Sequence, residues 1–97
     1  MPKRTYIRHI VFFSASDEAD IPIIVDGLKL LKDIPYSKCF EVVENKCVDN
    51  LSSEVDVVVY AEFETIRELE AYKAHPIYQK SIDVVRPLRE LRIVADI

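Results

Sequence analysis

Four side chains in this 97-residue sequence carry most of its chemical potential: His9, Tyr72, His75 and Tyr78. His9 lies in the run Ile7-Arg8-His9-Ile10-Val11-Phe12-Phe13-Ser14. An imidazole titrates near neutral pH, so on a cavity wall it donates a hydrogen bond or acts as a base. On an apolar strand face the same ring also reads as a core or interface histidine, satisfied by backbone or by a partner chain. Tyr72 stands at helical spacing from Leu69, which suits a buried ring with its hydroxyl at a rim. His75 precedes Pro76 and either caps the helix that the proline starts or belongs to a site. Tyr78 lies one turn further on, as cavity wall or as core. Together these groups suit two chemistries. One is the orientation of a small apolar or aromatic molecule by a few polar contacts. The other is a cofactor-free lyase or cyclase reaction, with His9 as base and Tyr72 or Tyr78 as donor to a developing enolate. A purely structural assembly module is the third reading, because a fold alone fixes no function. Glu62, Arg92 and Asp96 are strand-end charges suited to solvent or an ion pair.

The elements that must position these residues follow from periodicity. Ile7 to Ser14 alternates as a strand that is apolar on both faces, His9, Val11 and Phe13 on one and Ile10 and Phe12 on the other. Ile21, Ile24, Val25, Leu28 and Leu31 repeat at helical spacing, with Pro22 in a first turn, so a helix is predicted from Ile21 to Lys32. Ile34-Pro35 ends it. Ser37 to Val48 is predicted as a second strand, Asp49 to Glu54 as a loop, and Val55 to Phe63 as a central strand. Thr65 stands three residues before Glu68, a capping-box spacing that opens a helix broken at His75-Pro76. A further helix with Tyr78, Ile82 and Val85 on one stripe ends at Arg86-Pro87, and Leu88 to Ile97 is the last strand.

The order strand, helix, strand, strand, broken helix, strand is that of the ferredoxin-like split βαβ arrangement, an α+β fold in one domain over residues 1–97. Its helices lie on one face of a four-stranded sheet and leave the other bare. With His9, Val11, Phe13, Val57, Val59 and Phe63 assigned to the bare face, leaving about five large apolar side chains in water forgoes roughly 1.5–3 kcal/mol each. That sum rivals the entire stability of a small domain, so an isologous homodimer, sheet against sheet, is expected. The ligand pocket is expected between sheet and helix, with Phe13, Val57, Val59 and Val94 as walls and His9, Tyr72, His75 and Tyr78 as its polar groups.

Composition removes other classes. Apolar residues make up 49% and charged residues 31%, a globular balance. A net charge of -4 disfavours nucleic acid, and Lys3, Arg4 and Arg8 do not form a basic stripe. No apolar run approaches the ~18 residues needed to span a bilayer, and the start lacks the apolar stretch of a signal peptide, so a cytoplasmic protein without membrane partners is expected. A single glycine, Gly27, excludes the glycine-rich loops that cradle nucleotide phosphates. Cys39 and Cys47 match no zinc pattern and are expected to be buried structural thiols. No His, Asp and Glu spacing has ligand geometry, so no metal and no cofactor are expected.

Arg8-His9-Ile10-Val11, Glu62-Phe63-Glu64-Thr65, Tyr72-Lys73-Ala74-His75-Pro76 and the ending Val94-Ala95-Asp96 together resemble the stress-responsive A/B barrel (Dabb) domain family over nearly the whole chain. The resemblance implies a dimeric α+β barrel enclosing a small cavity. It also brings in olivetolic acid cyclase, a plant enzyme of this family that closes a polyketide by aldol condensation without a cofactor. In that enzyme a strand-one histidine, a helix tyrosine and a histidine two residues after the His-Pro pair line the site, the last being the base. His9 and Tyr72 match the first two, and Phe13, Val59 and Val94 match wall positions. Tyr78 stands where the base would be, and a phenol with a pKa of about 10 is a poor base near neutrality. Val43 stands where the family commonly has glycine.

Overall fold

The two most apolar runs of the chain become the two central strands of a single sheet. The computed structural model describes residues 6–97; Lys3 and Arg4 lie outside them. Its elements are β1 (Ile7–Ala15), α1 (Ile21–Lys29), β2 (Cys39–Glu44), β3 (Val57–Phe63), α2 (Ile66–Ala74), α3 (Pro76–Val85) and β4 (Arg89–Asp96). The antiparallel sheet has the strand order β2-β3-β1-β4, the ferredoxin-like α+β topology. Residues Ile7 to Phe13 of β1 run opposite Phe63 to Val57 of β3 in unbroken register.

Local chemistry explains most element ends. The Thr65 hydroxyl accepts the Glu68 N–H at 3.1 Å and starts α2. His75 ends α2 and starts α3, its Nδ1 accepting the Ile77 N–H at 3.1 Å while Pro76 occupies a position that needs no donor. The helix from Ile21 stops at Lys29 and tightens into a 3-10 turn over Leu30–Asp33, earlier than the periodicity suggests. β2 spans Cys39–Glu44 rather than Ser37 to Val48. After it the Asn45 amide donates to the Ser52 and Val55 carbonyls at 2.9 and 2.7 Å, folding the chain into a loop and delaying β3 to Val57. Cys47 sits in that loop with φ at 51°, and Cys39 begins an edge strand. Both thiols are therefore exposed and free, not buried as expected.

The sheet faces reverse the expectation from patterning. His9, Val11, Phe13, Val57, Val59 and Phe63 do not lie on the bare face; they lie under the helices and are all buried. They pack with Ile24, Leu28, Leu31, Ile34, Leu69, Tyr72 and Val85 as the core. The open face carries the other parity, with Val43, Val58, Phe12 and Ile93 aligned in register across all four strands. Ile10, Tyr60 and Ala95 form the adjoining row. Because both faces of β1 and β3 are apolar, alternation defines two sets without saying which set the helices cover. Gly27 settles how α1 meets α3: a Cβ there would stand 2.8 Å from Val84 Cγ1 and 3.0 Å from Val85 Cγ2.

Candidate functional site

A cavity of about 270 Å³ opens between the sheet and the helices. β1 contributes His9, Val11 and Phe13 and β3 contributes Val59; Leu28 and Leu31 come from α1 and the turn after it. Tyr72 projects from α2, and Tyr78, Ser81, Ile82 and Val85 from α3. Arg86, Arg89 and Arg92 complete the lining around the start of β4.

The polar end of the cavity is built on His9, whose side chain is 2% exposed. Its Nδ1 lies 2.6 Å from Asp96 Oδ1, across the β1–β4 pair in which the two residues are directly opposed. An ionised carboxylate only accepts, so Nδ1 carries the proton and the neutral ring keeps its lone pair on Nε2. Burial lowers the His9 pKa; the hydrogen bond and charge of Asp96 oppose the shift, while Lys73 and Arg92 add to it. The ring is thus neutral and available as an acceptor near pH 7.

Tyr72 packs edge-on against His9 (centroids 6.1 Å apart), Phe63 (4.9 Å) and Tyr78 (5.3 Å). Burial, reinforced by Tyr78 and opposed by Arg92, raises its phenol pKa, so the hydroxyl is a donor and not a phenolate. Neither this hydroxyl nor His9 Nε2 has a hydrogen-bond partner among the described residues, and both residues line the cavity. Arg92 Nη2 donates to the Tyr78 hydroxyl at 3.3 Å.

Of the residues singled out from sequence, His9, Phe13, Val59, Tyr72 and Tyr78 come together on the cavity wall. Val57, fully buried in the core, does not line it. Val94 shares the helix-side face, opposite Val11, but is 41% exposed and outside the lining. His75 is spent on capping α3 and stacks edge-on against Tyr36. Ser81, Arg86 and Arg89 were missed, as was the bond from His9 to Asp96. The signal for Asp96 was present in the alternation that groups it with Arg92 and Val94, but only pairing with β1 brings it to His9. Among the described residues no three His, Cys, Asp or Glu side chains gather as metal ligands would, and no helix is long and apolar enough to cross a membrane.

Fold and cavity define a ferredoxin-like α+β domain with a sheet-to-helix pocket. Residues 7–97 match the model of the Stress responsive A/B Barrel Domain, and the chain belongs to that family, Dabb. No curated protein sequence matches it. Among solved structures, a Dabb family protein with a ferredoxin-like fold from Mesorhizobium loti superposes with a TM-score of 0.80 at 21% identity, covering 97% of this chain and 96% of that one. A dimeric ferredoxin-like protein of unknown function from Jannaschia gives 0.83 at 18% identity, over 95% and 97% of the two chains. The hydroxynitrile lyase of Passiflora edulis gives 0.79 at 17% identity, over 98% and 94%. At these identities the likeness is one of fold.

Proposed function

We propose that this Dabb domain binds a small apolar or aromatic molecule in the cavity between its sheet and its helices, within a homodimer. The observation that carries the reading is a largely apolar wall, Val11, Phe13, Val59 and Leu31, meeting two polar atoms without a partner among the described residues, His9 Nε2 and the Tyr72 hydroxyl. Such a site orients a ligand by a few polar contacts and holds it by burial. Titration with indole, followed by NMR at the Tyr72 and Tyr78 rings, tests it. Saturable shifts that disappear when Val59→Phe fills the cavity support the reading, and no shifts in the folded protein defeat it.

The homodimer reading now rests on the open face. Its band of Val43, Val58, Phe12 and Ile93 leaves Ile93 53% and Val43 40% exposed, apolar area that a second copy removes from water. Dimeric relatives of the same fold support it. Sedimentation of the wild type at the dimer mass, and of Ile93→Glu at the monomer mass, is the expected outcome; a wild-type monomer at all concentrations excludes it.

A lyase or cyclase reading is kept on one further observation, the His9–Asp96 pair. Asp96 holds the imidazole with its lone pair toward the cavity, as a general base requires, beside a phenol able to donate to a developing enolate. Existence of a hydroxynitrile lyase on this fold supports that reading. Turnover of a β-keto substrate that falls on the acid side of its pH profile and is abolished in His9→Ala is the result it requires.

A further inference from the structure

The cavity mouth concentrates positive charge in a chain whose net charge is -4. Arg86, Arg89 and Arg92 all line the cavity, and among the described residues no acidic side chain does. Among the described residues none of the three has a carboxylate within ion-pair distance. Arg86 follows the last turn of α3, where a cation also complements the helix dipole, so it has a structural reason to be there. Arg89 and Arg92 lie in β4, where no helix dipole accounts for them.

Their common orientation is, moreover, produced by an irregularity. Phe13 pairs with Arg92 and Ser14 with Leu91, but Ala15 pairs with Arg89, so Glu90 is an extra residue in β4. In an unbroken strand residues three apart point to opposite faces. The bulge reverses the parity and puts Arg89 on the same side as Arg92, while Glu90 faces away from the cavity. Burial, with repulsion from Arg92 and Arg86, lowers the Arg89 pKa from its ordinary value, and an anion between these groups relieves that repulsion. Arg92 is held at the mouth by its bond to the Tyr78 hydroxyl.

We infer that the cavity selects a small apolar carboxylate, its body against Val11, Val59 and Leu31 and its carboxylate on the guanidinium groups of Arg89 and Arg92. This rests on the reading of the cavity as a binding site and names the ligand's charge. A planar guanidinium matches a carboxylate with two parallel hydrogen bonds, which a neutral amide cannot accept equally. At about 30 Å³ per water-sized group, a 270 Å³ cavity holds about nine such groups, the scale of an arylacetic acid.

The test is calorimetric titration of the whole protein with phenylacetate and with phenylacetamide, which differ in charge and hardly in shape. Phenylacetate is expected to bind at least about tenfold more tightly, the advantage shrinking as salt is raised. Arg89→Gln with Arg92→Gln is expected to abolish the discrimination. Each single variant, checked for folding by circular dichroism, is expected to reduce it. Equal binding of acid and amide by the wild type overturns the carboxylate assignment and leaves the apolar pocket standing. Discrimination that survives in the double variant overturns the role of these arginines. Binding of neither compound overturns both the carboxylate and the pocket.

Discussion

Removing the Asp96 carboxylate tests how His9 is held. In Asp96→Ala the Nδ1–H of a buried imidazole loses its acceptor, a loss of about 1–3 kcal/mol for an unsatisfied buried polar group. Asp96 is itself 41% exposed, so water reaches the vacated position and the low end, about 1 kcal/mol, applies. For a chain of this length that lowers Tm by about 4–8 °C. Asp96→Asn keeps an acceptor without the charge and loses less. Asp96→Ala removes both influences of Asp96 that raise the His9 pKa and Asp96→Asn removes its charge, and each leaves burial, the larger opposing influence, in place. Because the folded pKa lies below the unfolded value near 6.5, the unfolded chain takes up the proton first on acidification. The contribution of His9 to stability is therefore complete above pH ~6.5 and is lost as pH falls toward the folded pKa, by at most about 1.4 kcal/mol per pH unit. A lower folded pKa prolongs that loss, so the gap between wild type and Asp96→Asn widens below the wild-type His9 pKa. Urea unfolding across this pH range at one protein concentration, with His9 followed by NMR, measures both quantities. A His9 pKa in Asp96→Asn at or above that of the wild type refutes the reasoning, as does a gap that does not change with pH.

Gly27→Ala gains about 1 kcal/mol of helix propensity but drives a Cβ to 2.8 Å from Val84 Cγ1, and overpacking of this kind costs about 1–3 kcal/mol. Net destabilisation in urea is expected, with partial rescue by Val84→Ala; a stabilised single variant contradicts the close α1–α3 approach. Thr65→Ala removes the cap of α2 and is expected to cost about 1 kcal/mol, read as a matching fall in the urea midpoint at constant slope. An unchanged midpoint rules out a stabilising cap there.

What the chain states by itself is local. The capping spacing of Thr65 and Glu68, the proline breaks at Pro35, Pro76 and Pro87, and the strand character of β1 and β3 are properties of neighbouring residues, and the element order follows from them. The order is enough for the α+β topology, whereas Tyr72 and Tyr78, on helices separated by the His75-Pro76 break, meet only through the packing of α2 and α3. Other features depend on residues distant in sequence. Asn45 ends β2 through carbonyls seven and ten residues away and so leaves Cys47 in an exposed loop, while Cys39 is exposed because β2 falls at the sheet edge; neither was visible in an apolar run. Which face of the sheet is covered is decided by where α1, α2 and α3 dock, because β1 and β3 offer apolar side chains on both faces. His9 and Asp96 are 87 residues apart and meet only through the β1–β4 pairing. Arg89 reaches the cavity only because a single extra residue shifts the register of β4. Patterning could identify the aromatic wall; the charge at its mouth and the orientation of its histidine are products of strand pairing, which sets parity across the sheet and is not written in any one strand.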